Sequence, residues 1–228
     1  MVRAQRQAPR QVGHASLQQR IREQIESEIL AGIRVPGSAI DEKAVAASFN
    51  ASRTPVREAL ITLSACGLVT IAPRSGIYVR KASIPELVCA LEAICELEAL
   101  VAGLAATRAS PLHLEQMHQA LEQCGQAAAQ GDIDAYRQAN ARFHSAIHDA
   151  GANPVLAQYI QSARSLLLAY RYRSFEMPGR LIVSNQEHGQ IVQAIANGDV
   201  SLAQSCMRTH ISRGGQAMIA LLGSAENA

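Results

Sequence analysis

Along residues 53–65 the apolar positions fall at Val56, Ala59, Leu60 and Leu63, spaced i, i+3, i+4 and i+7. That period predicts an amphipathic helix with one buried stripe. Arg53 and Arg57 lie four apart on another face, with Thr54 beside them at the helix start. Ser52 is placed to cap the first turn, and Pro55 is tolerated there because the early N–H groups have no intrahelical partner. Upstream, residues 41–48 form a second short helical stretch with Ala44, Val45 and Ala47 as small packing residues. Phe49, Asn50 and Ala51 separate the two stretches, the length of a helix-turn-helix connection. Residues 68–71 and 77–80 read as two short strands. The tip between them, Ala72 to Gly76, holds Arg74, Ser75 and the glycine needed to turn. Helix, turn, helix and basic-tipped hairpin together predict a winged helix over residues 15–80. Two arginines and a threonine at the head of its second helix suit an anionic, grooved surface, which is that of double-stranded DNA.

After Lys81 the 3.6-residue period continues to the end and no segment alternates as a strand would. Six helices are predicted, over 84–108, 111–130, 132–150, 154–176, 179–197 and 199–222. Ser110-Pro111, Gly131-Asp132, Gly151 to Pro154, Pro178-Gly179 and Asn197 to Asp199 mark the breaks. Short connections imply antiparallel neighbours, so residues 81–228 form an all-α bundle. The predicted fold class is mainly α: an N-terminal winged helix-turn-helix with a small β-hairpin wing, then a six-helix bundle.

Charge separates the two parts. Residues 1–80 carry eleven Lys/Arg against six Asp/Glu, a net +5, and residues 81–228 carry ten against thirteen, a net −3. The near-neutral total of +2 therefore conceals a basic front and an acidic rear, as expected when one domain meets nucleic acid. Residues 1–14 contain Arg3, Arg6 and Arg10 with no apolar stretch behind them, which argues against a secretory signal and for a disordered basic arm. Residues 87–106 are long and apolar but interrupted by Glu92, Glu96 and Glu98, so a core helix is expected there and no membrane span. Cys66, Cys89, Cys95, Cys124 and Cys206 are scattered and lack a CxxC spacing, which fits a reduced cytoplasm.

Bundles build ligand sites from polar side chains on facing helices, and four residues form a candidate set. Asn140 and His144 are four apart, stacked on one helix face. His188 lies eleven residues before Asp199 and His210 eleven after it. In an antiparallel hairpin turning near Asp199, each stands about 16 Å from the turn at 1.5 Å per residue, so the two are level. Three imidazoles with an amide nearby suit Zn²⁺, Ni²⁺ or a similar divalent ion. His148 continues the face of His144 and could substitute for it or support it, whereas His113 and His118 read as surface and His14 as tail.

Two resemblances add to this reading. The runs Ala31 to Gly37, Ser52-Arg53-Thr54-Pro55-Val56-Arg57-Glu58-Ala59-Leu60 and Gly67-Leu68-Val69 resemble the N-terminal domain of GntR-type bacterial transcription regulators over about Leu17 to Arg80. The resemblance implies that Arg53, Thr54 and Arg57 approach base edges and phosphates. It places Lys43 where the family often has a DNA-contacting basic residue, and sends the wing, with Arg74, Ser75 and Gly76, into the neighbouring minor groove. The later runs Ala141 to His144, Gly151 to Leu156, Glu187 to Ile195, Gly198-Asp199 and Arg208 to His210 resemble the FCD effector domain of the FadR branch. Many such domains hold a divalent metal, and the matching positions are Asn140, His144, His188 and His210. Asn140 stands where an aspartate is common, and Ile94 where an arginine often faces the pocket.

The expected effector is a small organic acid. Arg164, Arg171 and Arg173 share the predicted 154–176 helix with Tyr170 and Tyr172, and they cannot all face one way. Arg164, Tyr170 and Arg171 are the candidate effector contacts, and which arginine lines the cavity is open. The expected protein is a cytoplasmic, homodimeric, ligand-responsive regulator: a repressor released from a palindromic operator. The competing class is a metal-dependent hydrolase using the three histidines. The chain has no HExxH motif, nucleophile elbow or phosphate loop, and Glu187 points about 100° away from His188 along the helix. A purely architectural DNA-binding protein would not need the helical domain.

Overall fold

The computed structural model describes residues 16–167, 169, 170 and 173–226. The expected basic arm, His14, Arg171 and Tyr172 lie outside the described residues.

Three helices, α1 (Leu17–Leu30), α2 (Glu42–Ser48) and α3 (Arg53–Ala65), precede a two-stranded antiparallel hairpin, β1 (Val69–Ala72) and β2 (Gly76–Val79). The predicted stripe of α3 is fully buried at Val56, Ala59, Leu60 and Leu63, against Ile21, Ile25 and Ile29 of α1. In α2 the packing residues are Val45 and Ala46, while Ala44 and Ala47 are exposed. The 45/46 edge of α2 is thus the one that meets the core. Ser52 occupies the N-cap of α3 but its hydroxyl makes no capping bond. The capping bond of α2 is made, from the Lys43 amide to Asp41. The hairpin register pairs Val69 with Val79 and Ala72 with Gly76, leaving Arg74 at the tip with φ +66°. Tyr78 Oη donates to the Ser75 carbonyl at 2.7 Å and braces that tip.

The rear domain comprises α4 (Ile84–Arg108), α5 (Pro111–Gln130), α6 (Ile133–Gly151), α7 (Pro154–Leu166), α8 (Arg180–Ala196) and α9 (Val200–Glu226). Five of the six predicted helices recur with small shifts at their ends. Ser83 and Ser110 start α4 and α5 with capping boxes, and His113, expected on the surface, supplies the second half of the α5 box. The predicted 154–176 helix is wrong in its second half. It ends at Leu166, and a 3-10 turn spans Arg173–Glu176. The physical reason is packing: Phe175 turns in to meet the Tyr136 ring edge-on at 5.1 Å, while Tyr170 is buried beneath the linker. One continuous helix could not deliver both, and aromatic residues and serine add little helix propensity to resist the break.

Helix α4 runs through the middle, packed on α6, α7, α8 and α9. Phe143, Ile147, Ile191, Ile195 and Met207 form the core around it with Val101, Ala102 and Ala105. Gly198 turns α8 into α9 with φ +69°, a conformation a side chain would resist, and so sets the hairpin that aligns the two helices.

Candidate metal and effector site

His144 on α6, His188 on α8 and His210 on α9 converge, with one nitrogen from each within 4.8 Å of the others. Ring centroids lie 4.6 Å apart for His188 and His210, 5.4 Å for His144 and His210, and 5.8 Å for His144 and His188. The level arrangement expected of a hairpin turning near Asp199 is the observed one. His188 is completely buried and stacked on Phe143 at 4.0 Å.

Both ring nitrogens of His188, and Nδ1 of His144, are buried without a hydrogen-bond partner. Buried polar atoms are nearly always satisfied, so these three are the atoms that ask for an additional group. A divalent cation fits the donor set, because neutral imidazole is its usual nitrogen ligand. Burial, with the positive neighbour Arg164, holds His144 well below the ordinary histidine value. Burial, then His210 and Arg180, does the same to His188. Both rings are therefore neutral, the state that binds a metal.

Behind the histidines stand two carboxylates that the sequence did not single out for the site. Glu98 on α4 is fully buried. It holds the Arg164 guanidinium directly, accepts from His148 Nε2 at 2.9 Å, and lies 3.9 Å from His144 Nδ1. Burial alone would raise its pKa, but Arg164 and His148 outweigh burial and keep it below the usual range. His148 is thus a partner of Glu98 and stands outside the converging trio. Glu187 on α8 accepts from His210 Nδ1 and from Arg180, each at 2.9 Å, and from Arg213 at 3.2 Å. Burial works against its ionisation too, yet His210 and Arg180 bring it down to about 2. A carboxylate ionised at neutral pH can only accept, so His210 Nδ1 is the donor in that bond and Nε2 is the ring nitrogen left for another partner.

Beside the trio lies a cavity of about 100 Å³. Asn140, His144, His210, Arg164 and Arg180 give it a polar side; Leu91, Leu167, Phe175 and Met218 give it an apolar one. Asn140 is brought to the cavity with the histidines, as its spacing from His144 anticipated. Arg164 also lines it, but its guanidinium is already engaged by Glu98. Tyr170 sits elsewhere: its hydroxyl accepts the Ala82 amide at 3.3 Å, at the linker between the domains. That placement corrects its expected role as an effector contact, and follows from the end of α7 at Leu166. Ile94 is buried against Leu167 and Met218 and backs the apolar wall. Arg180, which the sequence offered no reason to choose, is the second basic group of the cavity. For Glu98 a signal existed, a lone carboxylate in the apolar run Leu97 to Ala102.

The nucleic-acid candidates occupy the other end of the chain. Lys43, Arg53, Thr54 and Arg57 are exposed on α2 and the start of α3, and Arg74, Ser75 and Gly76 are exposed at the hairpin tip. Arg57 approaches Glu42 at 3.8 Å and leaves three-quarters of its side chain in solvent.

Comparison with known proteins matches residues 17–79 to the model of bacterial regulatory proteins of the gntR family and residues 89–213 to that of the FCD domain. The chain is 30% identical over 198 residues to the HTH-type transcriptional regulator LutR of Bacillus subtilis (strain 168), covering 78% of this chain and 90% of LutR. It is 28% identical over 176 residues to the HTH-type transcriptional repressor RspR of Escherichia coli (strain K12), covering 77% of each. Among solved structures, E. coli McbR/YncC superposes with a TM-score of 0.79 at 23% identity, over 93% of this chain and all of that one. A GntR regulator from Rhodococcus sp. RHA1 superposes with a TM-score of 0.70 at 20% identity, over 89% and 97%. The structural matches establish the fold. The matched families and relatives are regulators, so the hydrolase alternative finds no support among them.

Proposed function

This chain belongs to the GntR family of bacterial regulatory proteins and carries an FCD domain, which makes it a DNA-binding transcription regulator; from that premise we propose that it is a metal-containing repressor released from its operator by a small organic acid. Lys43, Arg53, Thr54 and Arg57 form the major-groove and phosphate contact set, with Arg74, Ser75 and Gly76 in the adjacent minor groove. Their common exposure on one winged helix supports this assignment. Two copies bind a palindrome with half-sites roughly 34 Å apart, because one winged helix offers too few contacts for high specificity. Action on DNA makes the cytoplasm the site of work, and no helix among the described residues is long and apolar enough to cross a membrane.

In the rear domain Asn140, His144, His188 and His210 hold a divalent ion, Zn²⁺ or Ni²⁺. The observation that carries this reading is the pair of unpartnered nitrogens on the fully buried His188. When bound, the ion supplies fixed positive charge for a ligand oxygen. Glu187 fixes the His210 tautomer, and Phe143 holds the His188 ring in plane. Helix α7 is the route to the DNA-binding domain. Arg164 lines both the cavity and a crevice shared with Arg22, Glu26 and Cys66, while Leu166 and Ser165 lie against Gly67. An effector that favours one seat of α7 tenfold supplies about 1.4 kcal/mol of coupling, enough to begin releasing an operator.

Elemental mass spectrometry tests the metal. Near one ion per chain is expected in the wild type and none in His144→Ala; no ion in either protein would reduce the histidines to hydrogen-bonding pocket residues. Operator binding measured across a panel of carboxylates tests the rest, and a response to neutral or basic metabolites alone would end the organic-acid reading.

A further inference from the structure

Two arginines line the cavity, and the structure leaves them unequally free. Arg164 is committed to Glu98, a carboxylate with no exposure at all. Drawing that guanidinium toward a ligand would leave a buried charge with His148 as its remaining close partner. Arg180 is differently held. One terminal nitrogen donates to Glu187 at 2.9 Å, while Nε is buried and has no partner. The residue is only 8% exposed, so water does not satisfy that donor freely. Glu187 would remain compensated if Arg180 shared itself, because His210 and Arg213 also bond it.

Among the described residues no carboxylate lines the cavity beside these arginines; Glu98 and Glu187 both stand behind the wall. The guanidinium fork matches a carboxylate bidentately, and Arg180 has donors to spare. Its Glu187-bonded nitrogen and His210 Nδ1 each lie 2.9 Å from the same oxygen, so they are less than about 6 Å apart, one small molecule's reach from the trio. Leu91, Leu167 and Met218 add apolar lining to the same cavity. The volume of about 100 Å³ is far below the ~300–1,000 Å³ of sites for drug-sized ligands.

We infer that Arg180 is the specificity residue of the effector site, anchoring the carboxylate of a compact acid whose short apolar chain packs on Leu91, Leu167 and Met218. The inference rests on the organic-acid reading above and adds its anchor and its size class. Arg164 keeps Glu98 neutralised and does not bind the ligand. Gly214 borders the same guanidinium: a Cβ there would lie 3.6 Å from the terminal nitrogen that bonds Glu187, an ordinary contact that leaves Nε clear.

Isothermal titration of the full chain, as isolated, with propionate, butyrate and 2-hydroxybutyrate, beside their primary amides, tests this. The wild type should bind acids in preference to amides. Arg180→Gln should weaken acid binding at least tenfold and erase the acid-over-amide preference, and Arg180→Lys should restore part of it. Equal acid affinity in wild type and Arg180→Gln would overturn the anchor while leaving the organic-acid reading standing. Binding of no acid by the wild type, or of amides equally well, would remove that reading and the anchor together. Should Arg180→Gln fail to fold by circular dichroism, Arg180→Lys decides: it keeps the charge and loses the bidentate fork, and undiminished acid affinity there overturns the anchor.

Discussion

The winged helix and the helical sensor use arginine in opposite ways. Arg53, Arg57 and Arg74 stand in solvent, within about twenty residues of one another in the chain, and the contact of Arg57 with Glu42 leaves three-quarters of its side chain exposed. Arg164 and Arg180 are drawn into a bundle and matched there with Glu98 and Glu187 from other turns and helices. An exposed cation costs little to keep and yields little to stability, so it is free to serve binding. A buried one must be compensated, and its partners then decide what it has left to offer a ligand.

The largest test of that contrast is Glu98→Ala. It leaves Arg164 buried without its carboxylate and should lower the unfolding free energy by about 3–5 kcal/mol in urea denaturation. A loss below about 1 kcal/mol would mean that the pair is solvated and the contrast false. Glu187→Gln should next weaken metal affinity about 10–100-fold in a chelator competition, because His210 then faces a neutral amide in place of the carboxylate that orients it. Unchanged affinity would place Glu187 outside the metal's support. At the other end, Arg57→Ala should weaken operator binding by about 1–3 kcal/mol at fixed salt if Arg57 reads a base, with folding intact. A fall shared equally by unrelated DNA would assign it to phosphate instead. Glu42→Gln, which removes the charge of the half-buried partner of the exposed Arg57, should change stability by no more than ~1 kcal/mol.

Mild acid should separate the two regions most gently. In chelator-treated protein His144 and His188 are held neutral below their ordinary value of 6.5, whereas the unfolded chain protonates them there. The unfolded state binds more protons, so the contribution of these two rings is whole above about pH 6.5 and is lost progressively as pH falls through their depressed values. A thermal melt of the sensor that holds steady from pH 7.5 to pH 5 would contradict their burial in neutral form.

Much of this was legible in order along the chain, and the reason is range. Val56, Ala59, Leu60 and Leu63 announce a buried face through spacing alone, and Arg53 and Arg57 declare the opposite face in the same few residues. The breaks at Gly131, Gly151 to Pro154 and Asn197 to Asp199 are likewise local signals. Even His188 and His210 could be set level, because a hairpin makes distance from its turn a measure of height. The break after Leu166 was not legible, since it is forced by Phe175 finding Tyr136 and by Tyr170 settling under Ala82, contacts that span up to 88 residues.

The sequence by itself therefore determined the winged helix, five of the six helices behind it, the basic residues exposed on the winged helix and the converging histidines, because each depends on neighbours within a turn or on a single hairpin. Only the tertiary structure decided that Glu98 engages Arg164, that Glu187 orients His210, and that Arg180 keeps an unspent donor beside the cavity. Those are pairings between α4, α7, α8 and α9 in an interior where every charge must find a partner, and no local pattern states which partner it will be.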